Sequence, residues 1–219
     1  MSATTTVNYT DGTTFQNLGV ILDGNVNAWS DTRVVSGIGQ AYIGELSLRL
    51  NISGGFNGDL YGYLSHDGVM VPLLNRPGVG TGNAFGYSDS GLNVTFTDAA
   101  ANNIHLYQSV GGYSITGEAT WKPDGRAINP VTSSPAAFDA AATVTLGALN
   151  GLSPNGSWTL VLADVSAGGG NSTVVSWGMD INAVPEPVNV ALAVFGTAFA
   201  LIQLWRVRRG RQRLPFPVT

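Results

Sequence analysis

Residues 45–53, ELSLRLNIS, place Leu46, Leu48, Leu50 and Ile52 in strict alternation with Glu45, Ser47, Arg49 and Asn51. Successive strand side chains point to opposite faces, so this period of two predicts a strand with one buried face. The same signature recurs along the chain. After the Gly54-Gly55 break, residues 60–64 and 69–74 flank His66-Asp67-Gly68, which predicts a hairpin. GLNVTFTD alternates Leu92, Val94 and Phe96 with polar residues, and NNIHLYQS sets Ile104 and Leu106 on one face with His105 opposite, facing solvent. GSWTLVLAD aligns Trp158, Leu160 and Leu162, and STVVSWGMDI aligns Val175, Trp177, Met179 and Ile181. Runs such as RPGVGTGN and SAGGGNS separate these segments, and before residue 188 only AAFDAAAT suggests a helical turn or two. About nine short strands with Gly-rich connections predict an all-β fold, a β-sandwich or jelly roll. No repeat of solenoid or propeller period interrupts this pattern.

Charge divides the chain. Residues 1–187 hold all fourteen acids and five of the ten bases, a net charge of −9; the other five bases are Arg206, Arg208, Arg209, Arg211 and Arg213. An acidic body is a poor partner for nucleic acid, whose phosphates need Lys and Arg. The arginines follow residues 188–205, which carry no charge and end on Trp205. As a helix this run would extend about 27 Å, close to the thickness of bilayer hydrocarbon. It is apolar all round, unlike a core helix with one buried stripe. The sequence therefore predicts a single C-terminal transmembrane helix at 188–205, a basic cytoplasmic tail at 206–219 and an exported body at 1–183. The opening MSATTTVNYTDG lacks a basic start and an apolar stretch, so either the numbering begins at a mature N-terminus with a start Met added, which is the expectation, or the signal has been lost.

Catalytic chemistry finds little support. A Ser-His-Asp triad needs a histidine held by a carboxylate beside a serine, and the chain has only His66 and His105. His66 falls in the predicted turn. The serines of YSDSG and GNSTV lack the GxSxG pattern, and no Walker-type phosphate loop occurs. With no cysteine and two separated histidines, the sequence does not favour a structural or catalytic zinc. Calcium is the metal the sequence admits: Asp59, Asp98 and Asp164 each stand at a strand end beside a polar loop. The competing reading is that Asp59 and Asp164 accept backbone N–H groups and cap turns. Tyr61 and Tyr63 share the polar face of their strand, and Trp29, Tyr107, Tyr113 and Trp121 are further candidates for exposed rings that stack on sugars.

Two resemblances cover most of the chain. LGVILDG, LSLRLNISGGFNGDLYGYLSHDG, GTGNAFGYSDSG, VTFTDAA and LNGLSPNGSWTLVLADVSAGGGNSTVVSWGMDI, spanning roughly residues 18–182, resemble the P domain (Homo B) of subtilisin-like proprotein convertases. That resemblance implies a jelly-roll β-sandwich. Some bacterial P domains bind calcium in such loops, although related sequences often carry a second acid where this chain has Gly170. The tail is similar to the PEP-CTERM sorting signal of Gram-negative envelope proteins, with Val184-Pro185-Glu186-Pro187, the apolar run and the arginine cluster in that order. It implies export, recognition by an exosortase at the inner membrane, and cleavage near Pro185, Glu186 and Pro187 in the linker 184–187. The expected protein is a non-catalytic component of the cell surface, extracellular matrix or biofilm. The alternatives are an accessory module of a secreted subtilisin-like serine protease and a carbohydrate-binding module for polysaccharide.

Overall fold

Among the described residues, alternation along the chain is realised as ten strands, accompanied by two α-helices. The computed structural model describes residues 2–10, 14–39, 41–185 and 187–211, leaving out the side chains of 187–191, 193 and 207–211. In chain order the elements are β1 (Ala3–Tyr9), β2 (Val20–Ile21), β3 (Trp29–Val35), β4 (Tyr42–Gly54), β5 (Leu60–His66), β6 (Val69–Asn75), β7 (Leu92–Thr97), β8 (Ala119–Trp121), α1 (Pro135–Ala140), β9 (Gly156–Asp164), β10 (Ser172–Val184) and α2 (Pro187–Arg211). One sheet has the order β1-β10-β4-β7-β8, with β2 added on β10, and the other the order β3-β9-β5-β6. All the pairings are antiparallel except β7 with β8.

Two sheets with one apolar face each can bury those faces only against one another, which makes a β-sandwich. From β4 and β10 come Leu46, Leu48, Leu50, Met179 and Ile181; from β5 and β9 come Leu60, Leu64, Trp158, Leu160 and Leu162. Each such side chain contributes about 1.5–3 kcal/mol on burial. The sheets are also joined by a polar bond: Trp177 on β10 donates its indole N–H to Asp31 Oδ2 on β3 at 2.7 Å, and Arg33 Nε donates to the same oxygen at 2.8 Å.

The structure corrects several sequence expectations. Residues Ile104–Ser109 form a 3-10 segment rather than a strand, so Ile104 is buried, Leu106 is half exposed and His105 lies in the core. In β10 the register shifts between Val174 and Ser176, turning Val174 inward and Val175 out. The bulge supplies one extra residue and so reverses the alternation at that point. Trp29, Tyr107 and Trp121 are buried, while Tyr113 is exposed. The hairpin turn is Asp67-Gly68, with φ of 47° and 77°, the left-handed pair of a type I′ turn; His66 is the last residue of β5.

Helix α1 begins at Pro135, and the Ser134 side chain accepts from Ala137 N, a normal capped start. The second unit, beginning at Pro185, contains the 25-residue helix α2. Its described apolar side chains, Leu192, Phe195, Phe199, Leu201 and Leu204 among them, are exposed. Among the described residues no helix is long and apolar enough to cross a membrane. Part of the expected span, residues 188–191 and 193, has side chains outside that set. Of the sorting residues, Pro185 is half-buried and Arg206 exposed. Glu186, Arg213 and the side chains of Pro187, Arg208, Arg209 and Arg211 lie outside the described residues.

Candidate ligand-binding pocket

Three loops of the sandwich meet at a pocket of about 250 Å³ lined by Phe56, Asp59, Phe85, Tyr87, Ser88 and Ser166, with Gly86, Ala167 and Gly168. The first loop is the FNGD stretch that leads into β5, where Asn57–Asp59 makes one 3-10 turn. Asn57 N donates to Asp89 O at 2.9 Å and Gly58 N to Tyr87 O at 2.8 Å, fastening this turn to the second loop. Two glycines allow the approach. A Cβ on Gly58 would stand 2.5 Å from Tyr87 N, and one on Gly86, at φ +81°, would stand 2.7 Å from Gly58 Cα.

The second loop presents its aromatic rings from a braced backbone. Asn83 Oδ1 accepts from Phe85 N at 3.3 Å and Gly86 N at 3.2 Å, and Asn83 Nδ2 donates to Gly86 O at 2.9 Å. Phe85 is nonetheless 82% exposed, and Phe56 is 37% exposed. Tyr87 packs edge-on against the buried Tyr107, ring centroids 4.6 Å apart.

Asp59 lines the same pocket. Burial, then the neighbouring Asp164 charge, push its carboxyl up to about 6, with Arg76 opposing. The Arg76 guanidinium stands 3.8 Å from Asp59 Oδ1 and donates through Nε to Gly58 O at 3.2 Å. Asp164 is fully buried, and burial raises its carboxyl too. Its Oδ1 accepts from Gly24 N and Ser166 N, both at 3.3 Å, and its Oδ2 has no hydrogen-bond partner. Asp23 stands close enough to raise both acids and accepts from Gly168 N at 2.8 Å.

Of the three aspartates considered for calcium, the fold brings Asp59 and Asp164 together. Asp98 serves elsewhere, accepting Leu146 N on Oδ1 at 3.0 Å and Gly147 N on Oδ2 at 2.7 Å. Calcium takes six to eight oxygen ligands. Among the described residues no group of three or more His, Cys, Asp or Glu side chains is arranged for a metal, and the Arg76 charge faces the same carboxylate. The orphaned Asp164 oxygen favours a cation nearby, but the donor set falls short of a calcium cage. Phe56 and Phe85 were not singled out from the sequence. The one signal was a lone Phe inside a Gly-, Asn- and Ser-rich run.

Both histidines are committed to structure. His105 Nδ1 lies 2.6 Å from Asp124 Oδ2, half of a triad, but Nε2 faces Val79 O at 2.9 Å where a triad needs a serine hydroxyl. His66 meets Ser157 O and Ser153 O and stacks on Trp158. Tyr61 and Tyr63, as expected from alternation, share an outward face of β5, half-buried, with ring centroids 5.9 Å apart.

No family model matches this chain, and no curated protein matches it. Among solved structures, it is similar to the serine protease of Aeromonas sobria, at 12% identity and a TM-score of 0.43. It is likewise similar to that protease in complex with its chaperone, at 12% identity and a TM-score of 0.44. In both cases the likeness covers 84% of this chain, which spans only 27% of the other chain's length.

Proposed function

We propose that this is a non-catalytic protein of the cell surface or extracellular matrix, a P-domain-like jelly-roll sandwich exported and then sorted through its C-terminal tail. The observation that carries the reading is that the sandwich unit ends at Val184, directly before the Pro-Glu-Pro linker and the uncharged helical run that leads into the arginines. In the sequence, residues 188–205 carry no charge and arginines follow them, a pattern that suits transient anchorage in the inner membrane with the body outside. An exosortase is the partner this tail implies, cutting near Pro185, Glu186 and Pro187. The non-catalytic part is supported by the two histidines, whose ring nitrogens all face fold-building acceptors.

Mass spectrometry of both ends of the protein from its native host tests the sorting. The expected C-terminus lies near Pro185-Glu186-Pro187, and surface-exposed protein intact through Thr219 would replace sorting by a permanent anchor. The resemblance of the body's motifs to P domains supports a second reading, an accessory module of a separately encoded subtilisin-like protease. A neighbouring protease gene favours the accessory, and neighbouring exosortase and polysaccharide genes favour the matrix role.

A further inference from the structure

We propose that the pocket lined by Phe56, Phe85, Tyr87 and Asp59 binds an alkylammonium group, carried by a lysine side chain or a small free amine. Aromatic rings attract cations through their quadrupole, and a carboxylate in the same pocket adds a full opposite charge. The pocket supplies both, with the Ser88 and Ser166 hydroxyls on its wall. Its volume of about 250 Å³ suits one side-chain-sized group and is below the range usual for larger ligands.

Contacts within the fold set the shape of this pocket. Asn83 braces the loop carrying Phe85 with three hydrogen bonds, and Gly58 lies against Gly86 to lock that loop onto the turn carrying Asp59. Preorganisation of this kind lowers the ordering cost of binding. A large ring left 82% exposed on a braced loop is surface the sandwich does not use for its own core. The fold's own counter-charge to Asp59, Arg76, stops at 3.8 Å, beyond a direct hydrogen bond, and Asp164 beside it keeps an oxygen without a partner. The local balance therefore remains negative, as does the body as a whole, which draws cations toward it.

Isothermal titration calorimetry of the full chain tests the proposal with four probes: N-acetyl-lysine methylamide, its uncharged norleucine analogue, n-butylamine and calcium chloride. Lysine amide is expected to bind with millimolar affinity and the norleucine analogue at least about tenfold more weakly. Comparable binding of n-butylamine assigns the site to free amines, and weaker binding assigns it to a peptide segment. Phe85→Ala, at an exposed position, should weaken binding about fivefold, and Phe85→Trp should restore it. Asp59→Asn should weaken it at least as much. Equal binding of the norleucine and lysine amides, unchanged binding in Phe85→Ala, or a response to calcium alone would overturn the proposal.

Discussion

His105 Nδ1 lies 2.6 Å from a carboxylate oxygen of Asp124, with both side chains withdrawn from solvent. Arg126 Nη1 donates to the other Asp124 oxygen at 3.2 Å, and Asn75 N donates to the first, also at 3.2 Å. This network ties β6 to the 3-10 segment Ile104–Ser109 and to the loop after β8. A histidine-carboxylate pair is half of a hydrolytic triad, yet here the remaining imidazole nitrogen is occupied by Val79 O. The pair acts as a structural clamp.

Removing one side of that clamp leaves buried polar groups unpaired. Asp124→Asn should destabilise the sandwich by about 3–5 kcal/mol, because Arg126 loses its buried counter-charge and the amide cannot accept at both of the positions that Asp124 uses for His105, Asn75 and Arg126. Urea unfolding measures this. In parallel, the purified chain should not turn over casein; turnover abolished by His105→Ala would reverse the structural assignment.

Asp59 makes stability fall as pH rises. Its folded value of about 6 lies above the ordinary 3.8, so between those values the folded state holds a proton that the unfolded state has released. The stability that Asp59 contributes is therefore greatest below about pH 4, decreases through about pH 6 and stays lower above it. Asp59→Asn should remove the Asp59 share of this slope, leaving that of Asp164, and stabilise the protein at pH 7 by on the order of 2 kcal/mol. Thermal unfolding of both proteins from pH 4 to 7.5 checks the sign.

Trp177→Phe keeps most of the buried ring but removes the 2.7 Å bond to Asp31 that joins the two sheets. Arg33 still satisfies the same carboxylate oxygen, so the expected cost is about 1–2 kcal/mol. A loss above about 4 kcal/mol in chemical denaturation would mean that Arg33 alone does not hold Asp31.

Chelation should change little. Two carboxylates with a guanidinium beside one of them make a poor calcium cage, so excess EGTA should move the melting temperature by less than about 2 °C. A fall above about 5 °C, roughly 1–2 kcal/mol for a chain of this size, would establish a native-state metal.

Local alternation determined most of the sandwich. β4, β7 and β9 could be drawn from the sequence because each places apolar residues at every second position, and Asp67-Gly68 announces the turn between β5 and β6. β1 was not drawn, since threonines occupy both of its faces and it lies at a sheet edge. Tertiary packing decided the rest. The bulge after Val174 reverses one side chain because β10 must match β4 on one side, and Ile104–Ser109 coils because Asp124 draws His105 inward. Phe56, Asp59, Phe85 and Ser166 come from loops separated along the chain, and only the closed sandwich brings them to one pocket. Periodicity reports which face of a segment is buried; it carries no information about which distant loops will meet. That is why the strands were legible in the sequence and the pocket was not.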